Sequence, residues 1–327
     1  MANKPPFNIT EEMLEYVAEI AETLGGIKNV EALNKLPRLR RIGRIKSIHS
    51  SLAIENNSLT LDQVSDIIEG KSVIGPPDEI REVKNAFAAY KELEKIDPYN
   101  AKDLLRIHGI MTDGLVEESG KYRTVNEGVY SSDGRVVHIA PQARMVPDLM
   151  RDLFDWLKTS KVHALIKSCV FHYEFEFIHP FRDGNGRIGR LWHTAILMTW
   201  RPVFAWIPIE SMIRERQAEY YDAIAKSTSE GASDAFILFM LRATLDAVKL
   251  IVNDTQAHIN HINTRVRDLL AVLEYYPMSA AEIMERLKLE SRDGFRNNYL
   301  KPAIEAGLVL MTEPNKPTSR NQMYYKK

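Results

Sequence analysis

The sequence predicts a mainly α-helical fold, and three observations carry that expectation. Apolar residues recur at helical spacing behind capping residues, one strong hairpin signal interrupts them, and the texture changes after Thr264. Asn8 with Glu11 makes a capping pattern, after which Leu14, Val17, Ala18 and Ala21 form one apolar face. Thr60 with Gln63 predicts a second cap, and Gly70 the end of that helix. Ile80, Val83, Phe87 and Tyr90 mark an amphipathic helix from about Asp78, and Leu104, Leu105, His108 and Met111 a further one. Helices are also expected at about 147–160, 163–178, 185–200, 209–226 and 234–259. Neither an internal repeat nor a low-complexity segment is visible.

The hairpin signal is Asp133-Gly134, flanked by Val129 and Tyr130 on one side and by Val136, Val137, His138 and Ile139 on the other; Pro141 closes it. Past Thr264, Ser279 and Glu282 form a capping box, and Ile283 and Leu287 give that helix an apolar face. Ser291 begins another helix that Gly307 should end. Leu308-Val309-Leu310-Met311 and Met323-Tyr324-Tyr325 then read as two strands, so the order is that of a winged helix. From Thr264 to Lys327 there are 11 basic against 8 acidic residues, an excess of three that is thin for strong phosphate binding. Protein docking or dimerisation therefore ranks level with DNA binding as the use of this module.

The chain of 327 residues is long enough for a large core and about two domains. With 43 basic against 44 acidic residues its net charge is −1, so no global field draws it to nucleic acid or to a membrane. The single Cys169 cannot form an internal disulfide, and its apolar surroundings suggest a buried, inert thiol in a reducing compartment. The N-terminal residues lack the apolar run of a signal peptide, and no run approaches a membrane span; the cytoplasm is the expected location.

One stretch concentrates the chemistry: His179-Pro180-Phe181-Arg182-Asp183-Gly184-Asn185-Gly186-Arg187-Ile188-Gly189-Arg190. Gly184 and Gly186 permit backbone conformations in which successive N–H groups converge on an anion, and a helix starting at Asn185 adds its positive end. Arg187 and Arg190 lie on one face of that helix, within reach of phosphate oxygens. Asp183 is placed to hold a hard divalent cation against the same phosphates, and His179 is the group able to accept a proton near neutral pH. Gly184 to Gly189 also satisfies a dinucleotide-binding pattern, with Glu210 near the offset of a ribose-binding acid. The arginines and the His-Pro-Phe lead-in have no role in such a turn, and no repeated βαβ pattern accompanies it. A plain glycine-rich turn with solvated arginines is the other alternative. Isolated histidines such as His49, His108 and His172 are assigned no role.

The stretch resembles the signature of the Fic family, His-Pro-Phe-x-Asp/Glu-Gly-Asn-Gly-Arg-x-x-Arg, at every defined position. The resemblance implies transfer of AMP from ATP to a Ser, Thr or Tyr hydroxyl of a target protein, with release of pyrophosphate. It implies that His179 deprotonates the hydroxyl, that Asp183 binds Mg2+, and that Gly184, Asn185, Gly186, Arg187 and Arg190 hold the phosphates. In this family a hairpin before the signature forms a flap whose edge pairs with the target's main chain, here Val136, Val137 and His138. Tyr220 and Tyr221 match a tyrosine pair that lies by the adenine, although Arg216-Gln217 departs from a common Asn-Arg in relatives. The target is a protein, with the chain itself among the candidates; a homodimer is compatible, DNA has weak support, and a membrane has none.

Upstream, Ser51 and Glu55 lie four apart on one helical face, followed by Asn56. Ser51-Leu52-Ala53-Ile54-Glu55-Asn56 resembles the family's inhibitory motif, Ser/Thr-x-x-x-Glu-Gly/Asn. The resemblance implies that Glu55 pairs with Arg190 and withholds its guanidinium from the γ-phosphate. A hundredfold suppression requires about 2.7 kcal/mol of preference for the closed state, the order one sheltered Arg–Glu pair supplies. The expected organisation is an N-terminal helical region over 1–97 with the inhibitory helix, a catalytic core over 98–260, and the winged-helix-like module over 261–327. Two other functions stay open: hydrolytic removal of AMP at the same site, and a winged-helix regulator that uses this domain as a nucleotide sensor.

Overall fold

A computed structural model of the chain describes residues 4–25, 37–130, 136–305, 307–317 and 319–326; side chains at 37–39, 129–130, 136–139 and 255–263 are not described. The Asp133-Gly134 turn lies outside the described residues, as do the side chains of Val136, Val137 and His138. The fold is mainly helical. In chain order the principal helices are α1 (Glu11–Gly25), α2 (Pro37–Ile54), α3 (Leu61–Ile68), α4 (Pro77–Lys91) and α5 (Ala101–Met111). After the strands β1 (Gly128–Tyr130) and β2 (Val136–Ile139) come α6 (Val146–Thr159), α7 (Ala164–Ile178), α8 (Asn185–Met198), α9 (Ile209–Glu215), α10 (Gln217–Glu230) and α11 (Asp234–Val272). Contacts divide the chain into two units, Met1–Val252 and Asn253–Lys327.

In the first unit α7 and α8 form the packed centre. Both are buried on most of their circumference, which explains why α7 reads as an apolar run with no single polar face. The six residues between their bounds, 179–184, carry the first half of the motif and the start of α8 the second, so the chemistry sits at one end of this buried helix pair. Arginine, serine and glycine positions on α2 let it lie against α9, α4 and the 3-10 turn Pro202–Trp206. Gly43 is required there, since a Cβ would run into the backbone carbonyl of Trp206. A polar seam joins these elements: Ser47 Oγ and Tyr90 OH each donate to the buried Glu210 carboxylate at 2.8 Å, and Ser50 Oγ meets Ser211 Oγ at 3.0 Å.

Local signals hold at several places. Thr60 and Gln63 form a reciprocal capping box, as do Ser279 and Glu282. The first helix is a correction. Asn8 instead binds the Asp234 carboxylate through its N–H at 2.8 Å, and Thr10 Oγ1 accepts from Met13 N–H at 3.2 Å. The buried stripe is Met13, Ile20 and Leu24, while Leu14 is exposed. Spacing alone fits both stripes; the larger apolar side chains face inward. The span expected at 209–226 breaks at Arg216 into two helices, and the one expected at 234–259 continues to Val272.

The hairpin strands pair antiparallel, with Gly128 opposite Ile139, Val129 opposite His138 and Tyr130 opposite Val136, and a bulge between Val129 and Tyr130. In the second unit Ser291 caps a helical segment that passes through Arg292–Phe295, Arg296–Leu300 and Lys301–Glu305, and Gly307 follows with φ 68°. β4 (Val309–Met311) and β5 (Met323–Lys326) form the expected two-stranded ribbon. The short strand β3 (Met278–Ser279) adds to the other edge of β5, a pairing its two residues give no periodicity to reveal. Leu269, Ile283, Phe295, Leu300 and Val309 form a separate core for this unit. Among the described residues no helix is long and apolar enough to cross a membrane.

Candidate active site

The motif loop is built by interlocking caps. α7 ends at His179, whose backbone is left-handed (φ 49°, ψ 62°) and whose N–H reaches Phe175 O at 2.9 Å. A non-glycine residue in that region is strained, so the surroundings must hold it. Arg123 does so: Nε donates to His179 O at 2.7 Å, Nη1 to Val125 O at 2.8 Å and Nη2 to Pro141 O at 2.6 Å. Its own N–H donates to Pro180 O at 2.9 Å. One buried guanidinium thus ties the His179 turn to the chain on both sides of the hairpin.

Asn185 closes the other side, accepting Phe181 N–H at 2.9 Å and donating to Phe181 O at 2.8 Å. Phe181 is buried and stacked on His108, ring centroids 3.6 Å apart. His108 Nδ1 accepts Gly120 N–H at 2.9 Å, which puts the ring proton on Nε2, where it is donated to Asp183 O at 2.9 Å. Burial lowers the His108 pKa to about 4, so the ring is neutral in this role.

Gly184 (φ 83°) precedes α8, whose first intrahelical bond runs from Ile188 N–H to Gly184 O at 3.0 Å. The N–H groups of Asn185, Gly186 and Arg187 therefore have no acceptor within the helix. The Glu55 carboxylate lies directly against Gly186, where a Cβ would collide with Glu55 Oε1 and stand 2.9 Å from Arg190 Nη1. An anion thus occupies the positive end of α8. Arg190, buried in α8, donates from Nη2 to Glu55 Oε1 at 2.7 Å, and to Ser51 O at 2.9 Å, with Nε to Ser51 Oγ at 3.1 Å. Burial works to lower the Arg190 pKa, but the Glu55 carboxylate outweighs it and the net shift is upward.

The end of α2 explains how Glu55 is aimed. Asn57 N–H returns to Leu52 O at 3.1 Å and Asn56 N–H to Ala53 O at 3.1 Å, with Asn56 left-handed at φ 68°. This is a Schellman closure with Glu55 as the last half-helical residue. A carboxylate at a helix C-terminus is unfavourable there, and its placement over the N-terminus of α8 offsets that cost.

Arg187 is committed elsewhere, donating to Asp183 Oδ2 at 2.7 Å and to Glu82 Oε1 at 2.8 Å; Glu82 Oε2 in turn accepts from Asn57 at 2.8 Å. Burial tends to raise the Asp183 pKa, but Arg187 beside it outweighs burial and holds the carboxyl below its usual value. The Asp183 side chain is 50% exposed, and Oδ1 also accepts Gly184 N–H at 2.6 Å. Among the described residues no three His, Cys, Asp or Glu side chains converge as a metal cluster. The donor set fits a magnesium ion that takes one carboxylate from the protein and its other oxygens from phosphates and water.

His179 is mostly enclosed, and its Nδ1 is buried without a hydrogen-bond partner among the described residues. Burial lowers its pKa, with Glu176 partly opposing, so the imidazole is neutral and able to accept a proton. Burial raises Glu176 to about 7 and lowers His172 to about 3. Their 3.7 Å approach is therefore not an ion pair at any pH between those values. The tyrosine pair divides. Tyr220 is buried against Phe236 and Phe239, with its hydroxyl 3.2 Å from His172 Nε2. Burial raises the pKa of the half-buried Tyr221, with the Glu55 carboxylate adding to the rise and Arg190 opposing it. Gln217 Nε2 donates to Ile54 O at 3.0 Å, tying α10 to the end of α2.

The dinucleotide alternative is overturned: the motif follows a helix rather than a strand, and Glu210 is buried in the seam with Ser47 and Tyr90. Glu82, Arg123 and His108 are the contributors sequence reasoning missed. Arg123 and His108 act largely on backbone atoms far away in sequence, which leaves no local signal; the Phe181 ring that His108 covers was in view.

Residues 98–197 match the Fic/DOC family, and residues 264–325 match the C-terminal domain of filamentation-induced-by-cAMP, Fic-like proteins. The crystal structure of a Fic family protein from Desulfovibrio desulfuricans G20 superposes with a TM-score of 0.75 at 44% identity, covering 99% of this chain and 98% of that one. A protein adenylyltransferase Fic from Nematostella vectensis is 29% identical over 275 residues, 79% of this chain and 60% of its own length. Protein adenylyltransferase fic-1 from Caenorhabditis elegans is 29% identical over 231 residues, 66% of this chain and 42% of its own. The chain thus spans 42% to 60% of the length of these two curated relatives.

Proposed function

Because the chain belongs to the Fic family, we propose that it is a protein adenylyltransferase that moves AMP from ATP to a protein hydroxyl and is held in check by Glu55. The observation that carries this reading is the Glu55 carboxylate, seated on Gly186 and 2.7 Å from Arg190, where an anion is favoured by the end of α8. ATP places its phosphates over the N–H groups of α8, and Arg190 serves the γ-phosphate once Glu55 has moved away. Neutral His179 accepts the proton of the target hydroxyl as its oxygen bonds to the α-phosphorus. The bond from that phosphorus to the bridging oxygen breaks, and pyrophosphate leaves. Asp183 would hold magnesium, which supplies charge neutralisation on the phosphates. The antiparallel hairpin Gly128–Ile139 supports a flap whose outer edge receives an extended segment of the target.

Catalysis on this reading rests on positioning and on preorganised charge, since the strained His179 turn and the α8 N-terminus are fixed before ATP arrives. The test uses label position. ATP labelled in its α-phosphate should label protein and ATP labelled in its γ-phosphate should not. The reverse pattern would make the chain a kinase, and label in neither would remove the transferase reading. One observation favours a second activity at the same place. The Glu55 side chain is 34% exposed while its partner is buried, so its free edge faces water it could direct at an AMP–protein bond. Release of AMP from a modified protein that depends on Glu55 tests this.

A further inference from the structure

On the first unit, away from the motif loop, α2, α3, α4 and Trp206 line an open cavity of about 660 Å³. That lies inside the roughly 300–1,000 Å³ span of small-molecule sites. Arg40, Arg41, Arg44 and Lys91 line it, against two carboxylates, Glu69 and Glu94. Both carboxylates are already engaged: Glu69 by Arg41 and Lys71, and Glu94 by Arg40 at 3.7 Å. Among the described residues Arg44 forms no ion pair with a carboxylate within 4.0 Å. It is 9% exposed, donates to the Tyr90 carbonyl, lies 4.7 Å from the Trp206 ring, and keeps a buried Nε without a hydrogen-bond partner among the described residues. Burial lowers its pKa, with Tyr90 and the Glu94 and Glu210 carboxylates partly opposing. The remaining wall, Ile45, Ile68, Phe87 and Trp206, is apolar or aromatic.

We propose that this cavity is a regulatory site for a small anion attached to a flat apolar body, and that its occupation pins α2 in the seated position and deepens the repression by Glu55. Charge selects the anion, since four cations line the cavity against two carboxylates, an excess of two. The aromatic wall selects the body, because a carboxylate or phosphate alone would leave it wet. The coupling follows from geometry. Arg44, Ser51 and Glu55 stand at i, i+7 and i+11 on α2, one face of one helix. Tyr90 accepts from Arg44 through its carbonyl and donates through its hydroxyl to Glu210, which also holds Ser47. A ligand bridging α2 to α4 and Trp206 exists only while α2 is seated, so binding favours the state in which Glu55 covers Arg190. The regulatory part rests on the adenylyltransferase reading; the binding part does not.

The test titrates the full chain by calorimetry with phenyl phosphate, beside inorganic phosphate and phenol as its two halves. Phenyl phosphate should bind, and each half should bind at least tenfold more weakly. The surface substitutions Arg41→Gln and Lys91→Gln together should weaken phenyl phosphate at least tenfold, and Arg44→Gln should do at least as much. Equal affinity in the wild type and in the Arg41→Gln, Lys91→Gln protein overturns the site. Amide exchange over residues 44–56 should slow with phenyl phosphate in the wild type and not in the double variant. Labelling from α-labelled ATP should fall at least fivefold with phenyl phosphate, and only where both the cavity and Glu55 are intact. Equal loss in the double variant shows competition at the motif loop and overturns the coupling, as does unchanged or increased labelling at saturation. A protein that never takes label removes the transferase reading, while titration and exchange still decide the cavity.

Discussion

Glu55 and Arg190, 135 positions apart in the chain, meet at 2.7 Å over the N-terminus of α8. Two helix ends make the meeting. α2 closes through a left-handed Asn56 that leaves Glu55 at its rim, and α8 opens at Gly184 with its first N–H groups unclaimed by the helix. The carboxylate takes the place an anionic substrate group would need, so on the proposed reading repression and binding compete for one position. Without Glu55, the hydrogen bonds left to the buried Arg190 guanidinium among the described residues are those to the two Ser51 oxygens.

His179→Ala should reduce AMP transfer by about 100-fold to 10,000-fold, the usual contribution of a positioned base. ATP affinity should stay nearly constant, because the base acts on the hydroxyl. Calorimetry with ATP beside a labelling assay separates the two. Undiminished labelling would remove His179 from its role.

Arg123→Ala should destabilise the first unit by about 2–4 kcal/mol, since it leaves the carbonyls of His179, Val125 and Pro141 without their guanidinium donor. Arg123→Lys should recover only part, because one ammonium cannot serve carbonyls arrayed around a guanidinium fork. Urea unfolding measures this; a loss of less than about 0.5 kcal/mol would show that the turn holds itself.

What the sequence revealed and what it concealed divide along locality. The 179–190 loop, the capping boxes at Thr60 and Ser279 and the Ser51–Glu55 spacing are local, and the structure brings Ser51, Glu55, Gly186 and Arg190 together as read. Arg187 differs: spacing put it on the phosphate face, but Glu82, from a helix 105 positions away, shares its guanidinium with Asp183. Tyr220 and Tyr221 are adjacent in sequence and so differ in burial on α10, Tyr220 in the core and Tyr221 half-buried beside it. The buried stripe of α1 was misread by one residue because Leu14 and Met13 offer equivalent spacing. The role of Arg123 was invisible, since its acceptors are backbone carbonyls that any sequence possesses.

Burial raises the Glu176 carboxyl to about 7. The folded state therefore holds this proton more tightly than the unfolded chain, whose carboxyl titrates near its ordinary value. Stability should fall as pH rises from about 4.5 to about 7 and then level, by about 3 kcal/mol for this group. Glu176→Gln should flatten that part of the curve. Urea midpoints at several pH values in both proteins give the comparison, and parallel curves would contradict the assignment.

Asp183→Ala should abolish most of the magnesium dependence of ATP binding while leaving magnesium-free binding within about threefold, if Asp183 holds the ion as proposed. Calorimetric titrations with and without magnesium decide it. An equal magnesium effect in both proteins would place the ion elsewhere.

The central claim is that Glu55 holds Arg190 away from ATP, and intact-mass measurement after incubation with ATP and magnesium tests it most directly. Glu55→Gly should gain AMP units at least tenfold faster than the wild type, and adding Arg190→Ala should erase the gain, because the released guanidinium is then gone. Equal, slow modification of the wild type and Glu55→Gly, or a gain that survives Arg190→Ala, would contradict it.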